Sequence, residues 1–218
     1  MRNELKIAAV IVLYNPQNEF LKKITFLSNQ LDLVVVIDNS EKKNPGIKST
    51  MYGNNIRYVD NGKNIGIAAA LNQGAEIAKE TEVDFLLLLD QDTDIDSFCL
   101  EAYNRFLVET SSDKIGALTP TIKYSSDFRE DMTLIPKEIK YAITSGTLLN
   151  LRAFNEVGQF EDKLFIDYVD FEYCLRLRKK DYKLIHIPAA KINQHLGDLE
   201  SKKILFKKIY VTHHSPVR

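Results

Sequence analysis

Asp90-Gln91-Asp92 follows directly on the apolar run Phe85 to Leu89. Alternate side chains of an extended chain point the same way, so Asp90 and Asp92 can address one ligand together. Two hard carboxylate oxygens suit Mg or Mn, which prefers oxygen donors and completes its shell with water and substrate phosphates. Taken alone, the triplet reads equally as a solvated loop, with Thr93, Asp94 and Ser97 able to cap the next helix. Its company adds weight. Tyr14-Asn15 follows the apolar run Ile7 to Leu13, Asp38-Asn39-Ser40 closes Leu33 to Ile37, and the turn-rich stretch Asn61 to Gly66 follows Ile56 to Val59. Polar groups thus recur at four successive strand ends, where open α/β sheets bind their ligands. Each group also has a local role: Asp38 suits a turn beside Asn39 and Ser40, and Gly62 and Gly66 suit tight turn geometry.

A second acidic group, Asp167, Asp170 and Glu172, introduces an apolar periodic segment from about Tyr168 to Lys180. Carboxylates there favour the positive end of a helix. They can also take a proton from an attacking hydroxyl. If the stretch is helical, Asp167 shares a face with Asp170 and Glu172 points away. His195, His213 and His214 are isolated histidines near the end of the chain, open to surface or ligand roles.

The elements that must hold these residues are legible from patterning. Ile7 to Leu13, Leu33 to Ile37 and Val83 to Leu89 are apolar runs without alternation, the signature of strands covered on both faces. Phe20, Leu21, Ile24, Leu27 and Leu31 recur at helical spacing, as do Ile67, Ala68, Leu71, Ala75 and Ala78, and then Phe98, Leu100, Tyr103, Phe106 and Leu107. This β-then-α alternation over roughly the first 110 residues predicts a three-layer α/β fold with right-handed crossovers. The second half has shorter apolar runs at Ile115 to Leu118, Ile139 to Ile143 and Thr147 to Leu151, then a strand near Lys183 to Ile187, and reads as mixed sheet on the same core. Ser201 to Tyr210 has a helical apolar pattern with lysines between, placing Phe206 and Tyr210 on one face.

Composition bounds the function. The 218 residues suffice for one domain with a substantial core, and 44% hydrophobic with 27% charged residues excludes disorder and coiled coil. A net charge of −1 gives no general attraction for nucleic acid, so an anionic ligand must be captured locally. Cys99 and Cys174 are far apart and read as reduced, buried thiols. No segment has the length of a signal peptide or membrane span, so the expected location is cytoplasmic, with any membrane contact peripheral.

The sequence resembles the family 2 inverting glycosyltransferases of the GT-A fold, and within them the bacterial rhamnosyltransferase-like branch. The likeness is carried by Ala9 to Asn15, Val36 to Ser40, Asn64-Ile65-Gly66-Ile67-Ala68 with Asn72 and Gly74, Leu89 to Thr93, Ser145-Gly146, and Phe165 to Arg176. It spans nearly the whole chain in the family's order, and the Asp-Gln-Asp form tilts it towards rhamnosyl transfer. The resemblance implies the GT-A nucleotide-diphospho-sugar transferase fold, three-layer α/β/α with a mostly parallel central sheet. It implies one domain over 1–218, with a nucleotide-sugar half to about 110 and an acceptor and catalytic half beyond. Relatives continue with further helices, so a C-terminally truncated catalytic domain is the expectation.

By the same resemblance, Tyr14, Asn15, Asp38, Asn64, Gly66, Asp90 and Gln91 hold a UDP- or dTDP-sugar, with Asp38 accepting from a pyrimidine ring N–H. Asp92 and His195 hold the divalent cation, Asp170 is the catalytic base, and Ser145, Gly146, Asp167 and Glu172 face the acceptor. The implied activity is metal-dependent inverting transfer of a sugar, L-rhamnose from dTDP-rhamnose, onto a polysaccharide or lipid-linked saccharide. Asp181 departs from the pattern, standing where such enzymes usually have Gly after the helix.

Two other readings compete. A sugar-1-phosphate nucleotidyltransferase uses a similar core but needs a Gly-rich, Arg-containing loop after the first strand, and Leu13-Tyr14-Asn15-Pro16 has none. A non-catalytic nucleotide-sugar or glycan-binding module has no need of a base such as Asp170.

Overall fold

The computed structural model describes residues 5–16, 20–42, 53–123 and 135–194, and the backbone of 199–204 and 207–212. Strands β1 (Ile7–Leu13), β2 (Leu33–Asp38), β3 (Ile56–Asp60) and β4 (Phe85–Asp90) form a parallel block in the order β3-β2-β1-β4. Every residue of β1 and β2 is buried, because layers cover both faces and leave no solvated side to produce alternation.

Helices α1 (Phe20–Ser28) and α3 (Ser97–Glu109) cover one face, packing on Ile7, Ala9, Ile11 and Leu13. Helix α2 (Ile67–Lys79) covers the other, over Ala8, Val10 and Val12. One strand thus feeds two cores, and its rigid position fixes where each following loop begins.

The second half extends the sheet through β6 (Ile115–Lys123), β8 (Leu148–Asn150) and β9 (Lys183–Gln194), with β5 (Thr93–Ile95) and β7 (Lys137–Ile139) on β9. β8 runs antiparallel to both β4 and β6, joining the halves. β9 pairs parallel with β6 and antiparallel with β5 and β7. Helices α4 (Leu151–Val157) and α5 (Val169–Lys179) join α2 on its face of the sheet, with a 3-10 turn at Asp162–Leu164 between them. Cys99 and Cys174 are free and buried, and burial pushes both thiols up, to about 12 and about 11.

Three expectations are corrected. The Ser201 to Tyr210 segment is not a helix: β10 (Leu199–Ile204) and β11 (Lys207–Thr212) pair as an antiparallel hairpin, with Ser201 opposite Tyr210. The run Ile209-Tyr210-Val211-Thr212, β-branched apart from its aromatic tyrosine, favours extended backbone over helix. Phe206 lies outside the described residues. The run ending at Leu151 turns from strand into α4, because the Asn150 side chain accepts from the Arg152 amide and caps a helix. Finally, Asp167 is not on the helix with Asp170, since α5 begins only at Val169.

Candidate active site

The carboxyl ends of β1, β2, β3 and β4 form one rim, as the parallel register requires. Leu13 pairs with Asp38, Asp38 with Asp60, and Val12 with Asp90. Asp38 is buried and hydrogen-bonded on both oxygens: Oδ1 accepts from the Ser40 amide at 2.9 Å and Oδ2 from the Tyr58 hydroxyl at 2.7 Å. Burial and the Asp38 carboxylate together raise the Tyr58 hydroxyl above its ordinary pKa, so it stays a donor. These bonds aim the carboxylate and leave lone pairs for a further donor.

Asn39, Asn61, Asn64 and Gly66 form a network beside it. Asn61 Nδ2 donates to Asn39 Oδ1 at 2.9 Å, Asn39 Nδ2 to the Gly66 carbonyl at 3.2 Å, and the Gly66 amide to Asn64 Oδ1 at 3.0 Å. Gly66 has φ +84°, and a Cβ there would sit 2.7 Å from Phe165. The glycine is therefore needed twice, for its backbone and for the approach of the segment carrying Asp170. Phe165 closes the contact by accepting from the Ile67 amide at 2.6 Å, satisfying the start of α2. Asn15 sits at the end of β1 with positive φ, its amide donating to Ser40 Oγ at 2.8 Å.

Asp90-Gln91-Asp92 is clamped from three sides. The Tyr14 amide donates to Gln91 Oε1 at 2.9 Å, and Lys23 Nζ on α1 donates to the Gln91 carbonyl at 2.6 Å and lies 3.8 Å from Asp94. From the sheet side, Ser145 Oγ donates to Asp90 Oδ2 while accepting from Gln194 Nε2 at 3.1 Å. The β5–β9 register brings Gln194 here by placing it opposite Thr93. Burial holds the Asp90 pKa above the usual carboxylate range; the Ser145 bond opposes this, and the charges of Asp92 and Asp170 reinforce it. Burial also lowers Lys23, opposed by Asp94, Asp92 and Asp90.

Asp170 heads α5, partly buried, with Oδ1 accepting from the Phe171 amide at 2.8 Å. Burial raises its pKa, with a further push from Asp167. It lines a narrow apolar gap with Leu88, Thr144, Thr147 and Tyr173. Phe165 and Tyr168, flanking it in sequence, hold left-handed backbone at φ +58° and +65°. Such conformations are uncommon for bulky residues and survive where the surroundings impose them. Here the surroundings are explicit: Asn72 on α2 bonds the Phe160 amide and carbonyl and Asp162 Oδ1 at 2.7–2.9 Å, fixing the segment that leads to Asp170.

The structure thus gathers Tyr14, Asp38, Asn64, Gly66, Asp90, Gln91, Asp92, Ser145, Gly146 and Asp170 around one end of the sheet. Glu172 instead forms a two-point pair with Arg176, at 2.6 and 2.8 Å, and Asp167 is exposed in the turn before α5. His195, His213 and His214 lie outside the described residues. Among the described residues no three His, Cys, Asp or Glu side chains assemble as a metal cage. The residues still fit a hard divalent cation, because Asp90 and Asp92 are oxygen donors whose mutual repulsion a cation would relieve, with phosphate and water completing its shell.

Sequence reasoning missed three contributors. Lys23 falls with Phe20, Ile24 and Leu27 on the apolar stripe of α1, and its side chain is only 8% exposed. A lysine on such a stripe was the available signal. Tyr103, fully buried on α3, donates to the Gly146 carbonyl at 2.7 Å and so secures the Ser145-Gly146 turn; it reads in sequence as an ordinary core residue. Gln194 is polar at the end of a long strand and carries no local signal.

Comparison with known proteins decides the family. Residues 8–184 match the model of "Glycosyl transferase family 2". The chain belongs to glycosyl transferase family 2. It is similar to the dTDP-rhamnosyl transferase RfbF of Shigella flexneri, 30% identical over 229 residues that cover 97% of this chain and 75% of that protein. The fold is GT-A. It aligns with GalNAc-T7 in complex with UDP, GalNAc and Mn2+, at TM-score 0.71, 15% identity, and coverage of 89% of this chain and 44% of that one. It aligns also with S. aureus TarS, at TM-score 0.64, 17% identity, and coverage of 88% and 37%. The chain therefore spans under half the length of these two solved structures.

Proposed function

We propose that this family 2 glycosyltransferase transfers L-rhamnose from dTDP-rhamnose, with inversion, to a saccharide or lipid-linked saccharide. The observation that carries the reading is the convergence of two acidic groups at one end of β4: Asp170 lines a gap with Leu88 and Thr144, and the neighbouring Ser145 holds Asp90 of the Asp90-Gln91-Asp92 corner. A base on one side and a diphosphate corner on the other are what displacement at an anomeric carbon requires. Similarity to a dTDP-rhamnosyl transferase supports the donor.

In this reading Tyr14, Asn15, Asp38, Asn64 and Gly66 hold the nucleotide, Asp38 accepting from the pyrimidine N–H. Asp90 and Gln91 set the corner against which the diphosphate lies. A Mg or Mn ion held by Asp92, with His195 as a second ligand, would neutralise charge on the departing nucleoside diphosphate. Asp170 accepts the acceptor hydroxyl's proton as that oxygen attacks, and its raised pKa makes it a better proton acceptor than an exposed carboxylate. Ser145 and Gly146 border the acceptor side. Residues to about 110 form the nucleotide-sugar half and later ones the acceptor and catalytic half. The site of action is the cytoplasmic side of a membrane, reached peripherally; no helix among the described residues is long and apolar enough to cross one.

Thermal shift against dTDP-, UDP- and GDP-sugars, each with Mn or with EDTA, tests the donor and the cation together. Stabilisation is expected with dTDP-rhamnose and dTDP, greater with Mn. Selective stabilisation by a GDP-sugar, or responses identical in EDTA, would sink the donor or the cation assignment respectively.

A further inference from the structure

Most large apolar side chains left exposed in the described residues crowd around the start of α5: Tyr141, Phe165, Ile166, Tyr168, Phe171 and Leu175. Tyr168 is 73% exposed and Phe171 42%. A contiguous exposed apolar patch marks a binding surface more often than chance. The rings are ordered relative to one another, with Phe171 5.4 Å from Tyr141 and 6.4 Å from Tyr168, tilted at 48° and 56°. Tilted rings leave faces open instead of covering each other. The Arg178 guanidinium lies 5.9 Å over Tyr141.

Two observations tie the patch to the reacting site. Asp170 stands between Tyr168 and Phe171 in sequence, and its Oδ1 accepts from the Phe171 amide, so the carboxylate and this part of the patch share the first turn of α5. A groove of about 240 Å³ beside them is lined by Tyr141 and Phe171 and also by Thr119, His186 and Ser145, the last bonded to Asp90. The groove is smaller than a drug-sized pocket and is mixed in character, apolar faces edged by the hydroxyls of Thr119, Ser145 and Tyr141 and the imidazole of His186. A pyranose has that same alternation, C–H groups on its face and hydroxyls at its rim. A hydrocarbon chain would leave the polar rim unused.

We infer that Tyr168, Phe171 and Tyr141 form an aromatic platform that seats a sugar ring of the acceptor by its C–H face, presenting a hydroxyl to Asp170. This deepens the transferase reading and rests on it. None of Tyr14, Asn15, Asp38, Asn64 or Gly66 lines the groove, so acceptor contact and donor affinity separate under mutation.

Saturation-transfer NMR of the full chain with methyl glycosides of common hexoses and deoxyhexoses, with and without dTDP, provides the test. At least one glycoside should receive saturation at its ring C–H protons. Phe171→Ala, and Tyr168→Asn, which tolerates the left-handed backbone, should each cut that signal fivefold or more. The distant exposed Phe98→Ala on α3 should not change it. Calorimetric dTDP affinity should stay within twofold in all three variants, which also reports that they fold. No response from any glycoside, or signals that survive both platform substitutions, would overturn the inference. So would loss of binding to phosphatidylethanolamine–phosphatidylglycerol vesicles in the platform variants with glycoside signals intact, which would make the rings a lipid contact. A wild-type chain that fails to bind dTDP while still contacting a glycoside would sink the donor reading and leave the platform standing.

Discussion

The two halves of the molecule bring chemistry to the cleft in different ways. In the first, each functional side chain sits where a fully buried parallel strand ends, and neighbouring strands fix it through their register: Leu13 beside Asp38, Val12 beside Asp90. In the second, Asp170 rides at the start of a helix, delivered by a segment with two left-handed residues and held by Asn72 from the first half. A binding corner built on strands is rigid by construction. A side chain at a helix start delivered by such a segment depends on long-range ties, and in return the loops around it are freer to vary.

Substitutions on each side of this division should fail differently. The largest effect is expected from Asp170→Asn, which keeps shape but cannot accept a proton. Transfer should fall by ~10² or more while calorimetric donor affinity stays near wild type. Because burial raises the Asp170 pKa, kcat/KM should lose activity as pH falls through a value above the ordinary carboxylate range, and the pH–rate profile will show that limb. If Glu172→Gln, which breaks the pair with Arg176, abolished transfer while Asp170→Asn did not, the base would be misassigned.

Asp92→Asn acts on the other half and should weaken donor binding about 10-fold with Mn present and little in EDTA, as read by titration. Next is Lys23→Met, which leaves the Gln91 carbonyl without its ammonium donor and removes the positive charge beside Asp94. A loss of about 1–3 kcal/mol in urea-melt stability is expected, together with weaker donor binding. Asp38→Ala should erase a severalfold preference for thymidine and uridine diphosphates over cytidine diphosphate, since an acceptor-only carboxylate pairs with a ring N–H. If cytidine diphosphate already binds the wild type equally well, Asp38 shapes only the turn with Ser40 and Tyr58.

The smallest effect concerns the end of α5. Asp181 has φ +60° where the Tyr182 amide donates to the Leu177 carbonyl and the Asp181 amide to the Arg178 carbonyl, the hydrogen-bond pair of a glycine-terminated helix. Asp181→Gly should relieve the left-handed penalty, about 1 kcal/mol offset in part by the greater freedom of the unfolded glycine. A rise of a degree or two in Tm, with kcat/KM unchanged, is the expected outcome.

The same contrast explains what the sequence disclosed. Runs such as Leu33 to Ile37 are unmistakable because burial on both faces removes polar residues, and the polar residue that ends each run marks the rim. The second half is harder to read because β7 and β8 are three residues long and their partners lie far off in sequence, as in β7 with β9. Strand β5 reads in sequence as part of the loop after Asp92, since its pairing comes from Ile192 to Gln194 and leaves no local periodicity. Ser145 was visible as part of a motif, whereas the bond that gives it a role, to Asp90, is a tertiary fact.

Strand β9 has a kinetic consequence. It is the partner of β5, β6 and β7 at once, and its pairing with β6 joins Ile115 to Lys183. Closing so long a loop is slow, and contacts of this separation dominate the folding time. β1 to β4, linked by short crossovers, can assemble while the ribosome is still making the rest of the chain. The second half has no such option: β5, β6 and β7 cannot complete their pairing until β9 emerges. During synthesis the rim at the ends of β1 to β4 should therefore form before the segment carrying Asp170 is in place, while the contact that reaches Asp90 through Ser145 from Gln194 waits for β9.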